Sequence, residues 1–194
     1  LFTNAANLTS LGSTFSIETY FKAPVSGPEE QTLVERKNST ATAWKVVWTG
    51  GQDAGQIILK VTNASGQIIT VKSNNLTNST QSGIIPVMKS SWIHAVITYD
   101  GVNKLAKIYA NNKDVTGQIT GQSSWAPRSL STPVYVTIGS NWPKEVSFVR
   151  VYSSVISTSA VKFSTGETRD DIEYLYKMRS SLWSNGYFKT ISTP

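Results

Sequence analysis

The side chains that most often carry catalysis are scarce in this chain. It has one histidine, His94, and no cysteine. A lone histidine inside a strand is more often a hydrogen-bonded framework residue than a general base, so a framework role is expected for His94. A glycosidase needs two carboxyl groups about 5 to 9 Å apart. Glu29 and Glu30 are adjacent and would point apart on a strand, and Glu35 lies on another short element. We therefore expect no enzymatic activity.

Two tryptophans in loops offer a different chemistry, which is ligand binding. Trp125 lies in Ser-Ser-Trp-Ala-Pro and Trp142 in Ser-Asn-Trp-Pro-Lys, next to Asn141. Sugar rings stack their apolar faces on aromatic rings, and amide groups bind sugar hydroxyls. Trp125, Trp142 and Asn141 are therefore candidate ligand-binding residues. The alternative is that a loop tryptophan closes the end of the hydrophobic core. Trp44, Trp48 and Trp92 lie within predicted strands, where a core position is expected.

Five Asn-x-Ser/Thr sequons fall at predicted turns or loops, where a glycan could be accommodated. They begin at Asn7, Asn38, Asn63, Asn75 and Asn78. These asparagines are candidate glycosylation sites, and they favour a secreted or surface location.

The elements that must position these residues are predicted to be strands. Apolar side chains alternate with polar ones, as Phe15, Ile17 and Phe21 do, and Gly, Asn and Pro break the pattern. The clearest hairpin turn is Asn63 to Gly66, where glycine allows a positive φ. Helical spacing occurs over 169–179 alone. Strands are predicted at 15–21, 31–36, 44–48, 56–61, 67–72, 84–88, 92–99, 105–110, 134–138 and 145–152. This pattern predicts an all-β, antiparallel two-sheet sandwich with one short C-terminal helix.

The bulk composition narrows the class of protein. Ser and Thr make up about a quarter of the 194 residues, and charged residues 15%. The net charge of +6 is spread along the chain, which is not typical of a nucleic-acid groove. No apolar run is long enough to span a membrane. We expect a single domain over 1–194. Because the chain begins with Leu1, we expect it to be a fragment of a larger surface or secreted protein.

Several segments resemble one family. The segment 91–101, SWIHAVITYDG, resembles the Trp-x-His to Thr-Tyr-Asp-Gly strand of laminin-G-like, concanavalin A-like domains, and 107–113, KIYANNK, resembles its partner strand. The segment 15–21, FSIETYF, is similar to the family's opening strand, and 136–139 and 149–152 to its closing strands. The stretch from 161 onward departs from the pattern.

The resemblance implies a jelly roll and a framework role for the histidine. It also implies a calcium ion held by loop oxygens, for which the candidates are Asp53, Asp100, Asn103 and Asn141. Asp100 has an alternative role, which is to close the hairpin turn with its own backbone. The Glu-x-Asp-x-x-Glu strand of the sandwich glucanases has no counterpart here.

These observations favour a non-catalytic, extracellular recognition or adhesion domain of lectin-like type that binds a glycan or a surface glycoprotein. The first alternative is a structural subunit or spacer of a surface layer, filament or virion, which would self-associate. The second alternative is a polysaccharide-active enzyme. Fold alone does not decide among these functions.

Overall fold

The computed structural model describes residues 2–3, 11–24, 30–49, 55–77, 92–121, 124–139 and 145–157. These ranges contain strands and no helix. The strands are β1 (Phe2–Thr3), β2 (Thr14–Lys22), β3 (Glu30–Lys37), β4 (Thr42–Thr49), β5 (Ile57–Thr62), β6 (Ile68–Ser73), β7 (Trp92–Asp100), β8 (Leu105–Ala110), β9 (Lys113–Asp114), β10 (Thr116–Thr120), β11 (Tyr135–Ile138) and β12 (Val146–Tyr152). The predicted strand 84–88 and the predicted helix 169–179 lie outside the described residues.

The strands form two antiparallel sheets. The seven-stranded sheet has the order β1-β11-β3-β4-β5-β6-β10, and the five-stranded sheet has the order β12-β2-β7-β8-β9. The chain passes repeatedly from one sheet to the other, so strands distant in sequence become neighbours, as β12 and β2 do. The predicted all-β jelly-roll sandwich is confirmed.

Apolar side chains from both sheets fill the space between them. Phe15 of β2 stacks on Trp44 of β4 across the core, with ring centroids 5.5 Å apart, and on Tyr99 of β7 at 5.0 Å. Trp48 meets Phe21 edge to face at 5.9 Å. Trp44 and Trp48 are each 1% exposed, so their predicted core position is confirmed.

The chain divides into two compact units, Leu1–Ser157 and Thr158–Pro194. Every described residue belongs to the first unit. A single domain over 1–194 stays a prediction. Within the described ranges, no helix has the length and apolar character that a membrane crossing requires.

Candidate functional site

A cleft opens on the outer face of the seven-stranded sheet, where β3 turns into β4. Its volume is about 440 Å³, and its lining includes Lys37, Ser39, Thr40, Thr42 and Tyr135. Strand register explains the grouping, because Lys37 is paired with Tyr135 of β11 on one side and with Thr42 of β4 on the other. We call this site the Tyr135 cleft. It combines one aromatic ring, three hydroxyl-bearing side chains and one cation.

The turn beneath the cleft is held by Asn38. Its Oδ1 accepts hydrogen bonds from the backbone N–H of Thr40 at 3.0 Å and of Ala41 at 2.7 Å. Its Nδ2 donates to the backbone carbonyl of Ser131 at 3.2 Å and to the hydroxyl of that residue at 3.0 Å. Since both ends of the amide are used, the floor of the cleft is fixed in the folded chain.

Charged side chains continue along the same face of the sheet. Lys37 contacts Glu35 on its own strand. Glu30 contacts two lysines of neighbouring strands: Lys45, at 3.5 Å between Nζ and Oε2, and Lys60. Burial raises the pKa of the Glu30 carboxyl, but the hydrogen bond and charge of Lys60, with Lys45, outweigh burial and leave the pKa below its ordinary value. Glu30 is therefore a carboxylate that bridges two cations.

The outer face of the five-stranded sheet holds a second polar cluster, centred on Glu18. The Glu18 side chain is 1% exposed. His94 Nε2 lies 2.9 Å from its Oε1, while the Tyr152 hydroxyl donates to Oε2 at 2.6 Å and Arg150 does so at 3.3 Å. Cross-strand pairing places Arg150 directly opposite Glu18. We call these four residues the Glu18 network.

The Glu18 network keeps an ionised carboxylate inside the sheet. Burial raises the pKa of Glu18, but the hydrogen bonds from His94 and Tyr152 and the charge of Arg150 bring it down to about 2. A carboxyl group with that pKa stays ionised at neutral pH and supplies no proton as a general acid. His94 is itself 4% exposed and bonded to Glu18, a position that agrees with the framework role expected from the sequence. Sequence reasoning missed Glu18, Arg150 and Tyr152.

Trp92 departs from its predicted core position. It lies on the same outer face as His94 and stacks on Tyr20 with ring centroids 4.9 Å apart, while Tyr20 in turn lies 6.3 Å from Phe148. The Arg150 guanidinium sits 4.7 Å above the Phe148 ring. Trp92 is partly exposed, whereas Trp44 and Trp48 are buried.

Trp125 lies inside the molecule, although its loop position made it a candidate for ligand binding. It is 5% exposed, stacks on Tyr99 at 5.3 Å and belongs to the hydrophobic core. Its backbone carbonyl accepts the Tyr99 hydroxyl at 2.6 Å. A ring buried in this way presents no face to a sugar, so the structure favours the alternative, in which Trp125 closes the end of the core. Trp142 and Asn141 lie outside the described residues, and their ligand role stays a prediction.

The loop after β7 does not fit a calcium site. The Asp100 carboxylate accepts the backbone N–H groups of Val102 at 3.1 Å and Asn103 at 3.0 Å, and the Asn103 side-chain amide donates to it at 2.8 Å. Asn103 thus turns its N–H group, not an oxygen, toward the place that a cation would need. These bonds lower the pKa of Asp100 and close the turn, as the alternative role predicted. Asp53 lies outside the described residues, so calcium there stays a prediction.

Two of the sequon asparagines are structural. Asn63 is 1% exposed, and its Oδ1 accepts the backbone N–H groups of Ser65 at 3.1 Å and Gln67 at 2.9 Å, which organises the predicted β5–β6 hairpin turn. Asn38 is 8% exposed, with both ends of its amide bonded. The Nδ2 of Asn63 lies 3.4 Å from the Ser124 carbonyl oxygen, and that of Asn38 donates to Ser131. A glycan on either nitrogen would disturb these contacts, so burial disfavours the glycosylation that the sequence predicted at these two positions. Asn75 is partly exposed, and its Oδ1 accepts the Thr77 hydroxyl at 2.9 Å. Asn7 and Asn78 lie outside the described residues.

The two antiparallel sheets and their crossing strand order define a jelly-roll domain. The family model of the Concanavalin A-like lectin/glucanases superfamily matches residues 2–162, and the chain belongs to this family. No curated protein matches the chain.

Solved structures with a similar fold come from several organisms. The sialidase CBM40 domain of Ruminococcus gnavus, bound to α2,3-sialyllactose, has a TM-score of 0.60 and 19% identity, over 83% of this chain and 86% of that one. The receptor-binding domain of botulinum neurotoxin mosaic serotype C/D has a TM-score of 0.56 and 14% identity, over 91% and 39%. The SAP-like pentraxin of Limulus polyphemus has a TM-score of 0.51 and 14% identity, over 77% and 68%. At these identities the likeness concerns the fold alone.

Proposed function

We propose that this domain is a non-catalytic, extracellular or surface-borne recognition module that binds carbohydrate in the Tyr135 cleft. The observation that carries the proposal is the content of the cleft, where one aromatic ring stands beside Ser39, Thr40, Thr42 and Lys37. An apolar ring face with a few placed polar groups is the usual composition of a sugar site. The structures of the CBM40 fold with α2,3- and α2,6-sialyllactose support the choice of carbohydrate as ligand class.

The described residues offer little to an enzyme. Glu18 is an ionised carboxylate whose oxygens are bonded within its own network, and Glu30 and Glu35 are bonded to lysines. A glycosidase requires one carboxylic acid whose raised pKa keeps its proton for the leaving group. The pKa values of both Glu18 and Glu30 are lowered instead.

A glycan array with the purified chain tests the proposal, using Tyr135→Ala and Tyr135→Phe as a matched pair. Loss of the ring should abolish glycan retention, because sugar stacking needs its face, whereas phenylalanine keeps the face and should retain most binding. Trp142→Ala tests the remaining loop candidate on the same array. If the native chain retains no glycan and light scattering shows ordered self-association, the structural-subunit alternative replaces the proposal.

A further inference from the structure

The outer face of the seven-stranded sheet carries four lysines on four adjacent strands. They are Lys37 on β3, Lys45 on β4, Lys60 on β5 and Lys72 on β6. Alternation places Lys45, Lys60 and Lys72 outward, because Trp44, Leu59 and Val71, their neighbours in sequence, belong to the core. Lys37 faces outward because it is paired with Tyr135, whose neighbour Val136 belongs to the core. We call these four residues the lysine face.

The pairing of the strands forces like charges together. Lys45 and Lys60 are direct cross-strand partners, a position in which two cations repel each other. Glu30 relieves the repulsion by contacting both of them. Glu35 does the same for Lys37. Among the residues that the structure describes on this face, two carboxylates therefore stand against four cations and leave a positive surplus.

The lysines remain accessible while they are ordered by the sheet. The side chains of Lys37, Lys45 and Lys60 are 34%, 32% and 24% exposed. Lys45 and Lys37 flank Glu35 within the sheet, because Glu35 is paired with Lys45 and stands two residues before Lys37. Neighbouring rows on one face of a strand are about 7 Å apart. The lysine face is continuous with the Tyr135 cleft, because Lys37 belongs to both.

We infer that the ligand of this surface is an acidic glycan, whose carboxylate or sulfate groups contact the lysine face while one sugar ring occupies the Tyr135 cleft. This inference rests on the proposed function and adds its ligand class. Ligand anions would compete with Glu30 for Lys45 and Lys60. Thr70, the cross-strand partner of Lys60, adds a hydroxyl to the same row.

An acidic glycan fits this surface better than a nucleic acid does. A nucleic acid presents a phosphate charge at every nucleotide and is bound by dense cations, with aromatic platforms for its bases. Here Glu30 and Glu35 interrupt the cations. A glycan that carries one acidic group among several hydroxyl-bearing sugars presents fewer and more widely spaced charges, separated by hydroxyls that threonines can bind.

Two variants with opposite expected effects test the inference. Lys60→Gln removes a cation and should weaken the retention of acidic glycans roughly threefold to tenfold at about 50 mM salt. Glu30→Gln frees Lys45 and Lys60 from their internal partner and should strengthen retention by a similar factor. If the substitutions merely damaged the fold, glycan retention would fall in both variants. The assay is an array of sialylated, uronic-acid-containing and sulfated glycans beside their uncharged counterparts, with duplex DNA as a further probe.

The control is Lys107→Gln, which removes one cation from the other sheet. Lys107 is 54% exposed and pairs with Asp114 at 2.8 Å, so its loss makes the same change in net charge away from the lysine face. Retention should be unchanged in this variant. Three outcomes would overturn the inference without refuting carbohydrate binding. Neutral and acidic glycans could be retained equally, or Lys60→Gln and Lys107→Gln could have equal effects. DNA could also bind with the same dependence on these lysines. No retention of any glycan would refute the proposed function itself.

Discussion

Replacing Glu18 by glutamine should cost this domain much of its stability at neutral pH. The Glu18 side chain is 1% exposed and contacts three groups, His94, Arg150 and Tyr152. Its pKa is about 2, against an ordinary value of 4.5. At 1.36 kcal/mol for each pKa unit, this difference corresponds to about 3 kcal/mol of the free energy of unfolding. Glutamine keeps the shape but removes the charge that these donors stabilise.

The sign of the pH dependence follows from the lowered pKa. The contribution of Glu18 is fully present above pH 4.5, where the carboxylate is ionised in both the folded and the unfolded chain. The contribution falls as the pH drops toward 2, because Glu18 is then protonated in the unfolded chain but still ionised in the folded chain. Roughly 2 of the 3 kcal/mol should be lost between pH 6 and pH 3.

Urea unfolding followed by tryptophan fluorescence at several pH values measures this effect. The native chain and Glu18→Gln should differ by about 3 kcal/mol at pH 6 and by about 1 kcal/mol at pH 3. Glu145→Gln is the control, since Glu145 is 51% exposed and pairs with Lys22 at 3.2 Å, and it should cost under about 1 kcal/mol. A gap between the native chain and Glu18→Gln that stayed constant across this pH range would refute the reasoning.

Two further predictions concern the backbone and the core. Gly121 and Gly66 have φ of +83° and +82°, but a Cβ at Gly121 would overlap the carbonyl oxygen of Ile68, whereas a Cβ at Gly66 meets open space. Gly121→Ala should therefore destabilise by roughly 1 to 3 kcal/mol more than Gly66→Ala, and equal urea midpoints would contradict this. Tyr99→Phe removes the hydroxyl that donates to the Trp125 carbonyl at 2.6 Å, and thermal unfolding should show a loss of about 1 to 2 kcal/mol rather than none.

The positions of most strands could be predicted from the sequence, because each strand must cover the core with alternate residues. The predicted strand 105–110 coincides with β8, and 15–21 lies within β2. The polar strand β10, Thr116–Thr120, was missed. It has little apolar alternation and exists because β6 offers it an edge to pair with. Local sequence does not report that pairing.

The side of the sheet that a residue occupies was harder to predict than the strand itself. In β2 and β7 both faces are buried, so Ile17 is 0% exposed and its neighbour Glu18 is 1% exposed. The alternation of apolar and polar residues along these strands then does not show which side chains face the core and which face outward. Trp92 was assigned to the wrong face for this reason. The contacts of Glu18 with Arg150 and Tyr152 could not be predicted from the sequence, because these residues are more than 130 positions away along the chain.

The sequons illustrate a different ambiguity. An asparagine followed two residues later by Ser or Thr is a glycosylation signal, but the same residues also form turns in which the asparagine side chain binds the backbone ahead of it. Asn38 and Asn63 form such turns, with Thr40 and Ser65 as their partners. Only the burial of the amide separates the two readings, and burial depends on Ser131 and Ser124, which approach from elsewhere in the chain.

The two outer faces of the sandwich differ in how their charges are used, and this difference is a reason to propose ligand binding on the seven-stranded sheet rather than on the other. In the Glu18 network a buried carboxylate accepts hydrogen bonds from the nearby donors, and the Arg150 guanidinium also lies above the Phe148 ring. A ligand there would have to break bonds that stabilise the fold. On the lysine face Glu30 is itself 38% exposed and serves two cations at once. Exposed ion pairs contribute little to stability, so an anion can exchange with Glu30 at low cost.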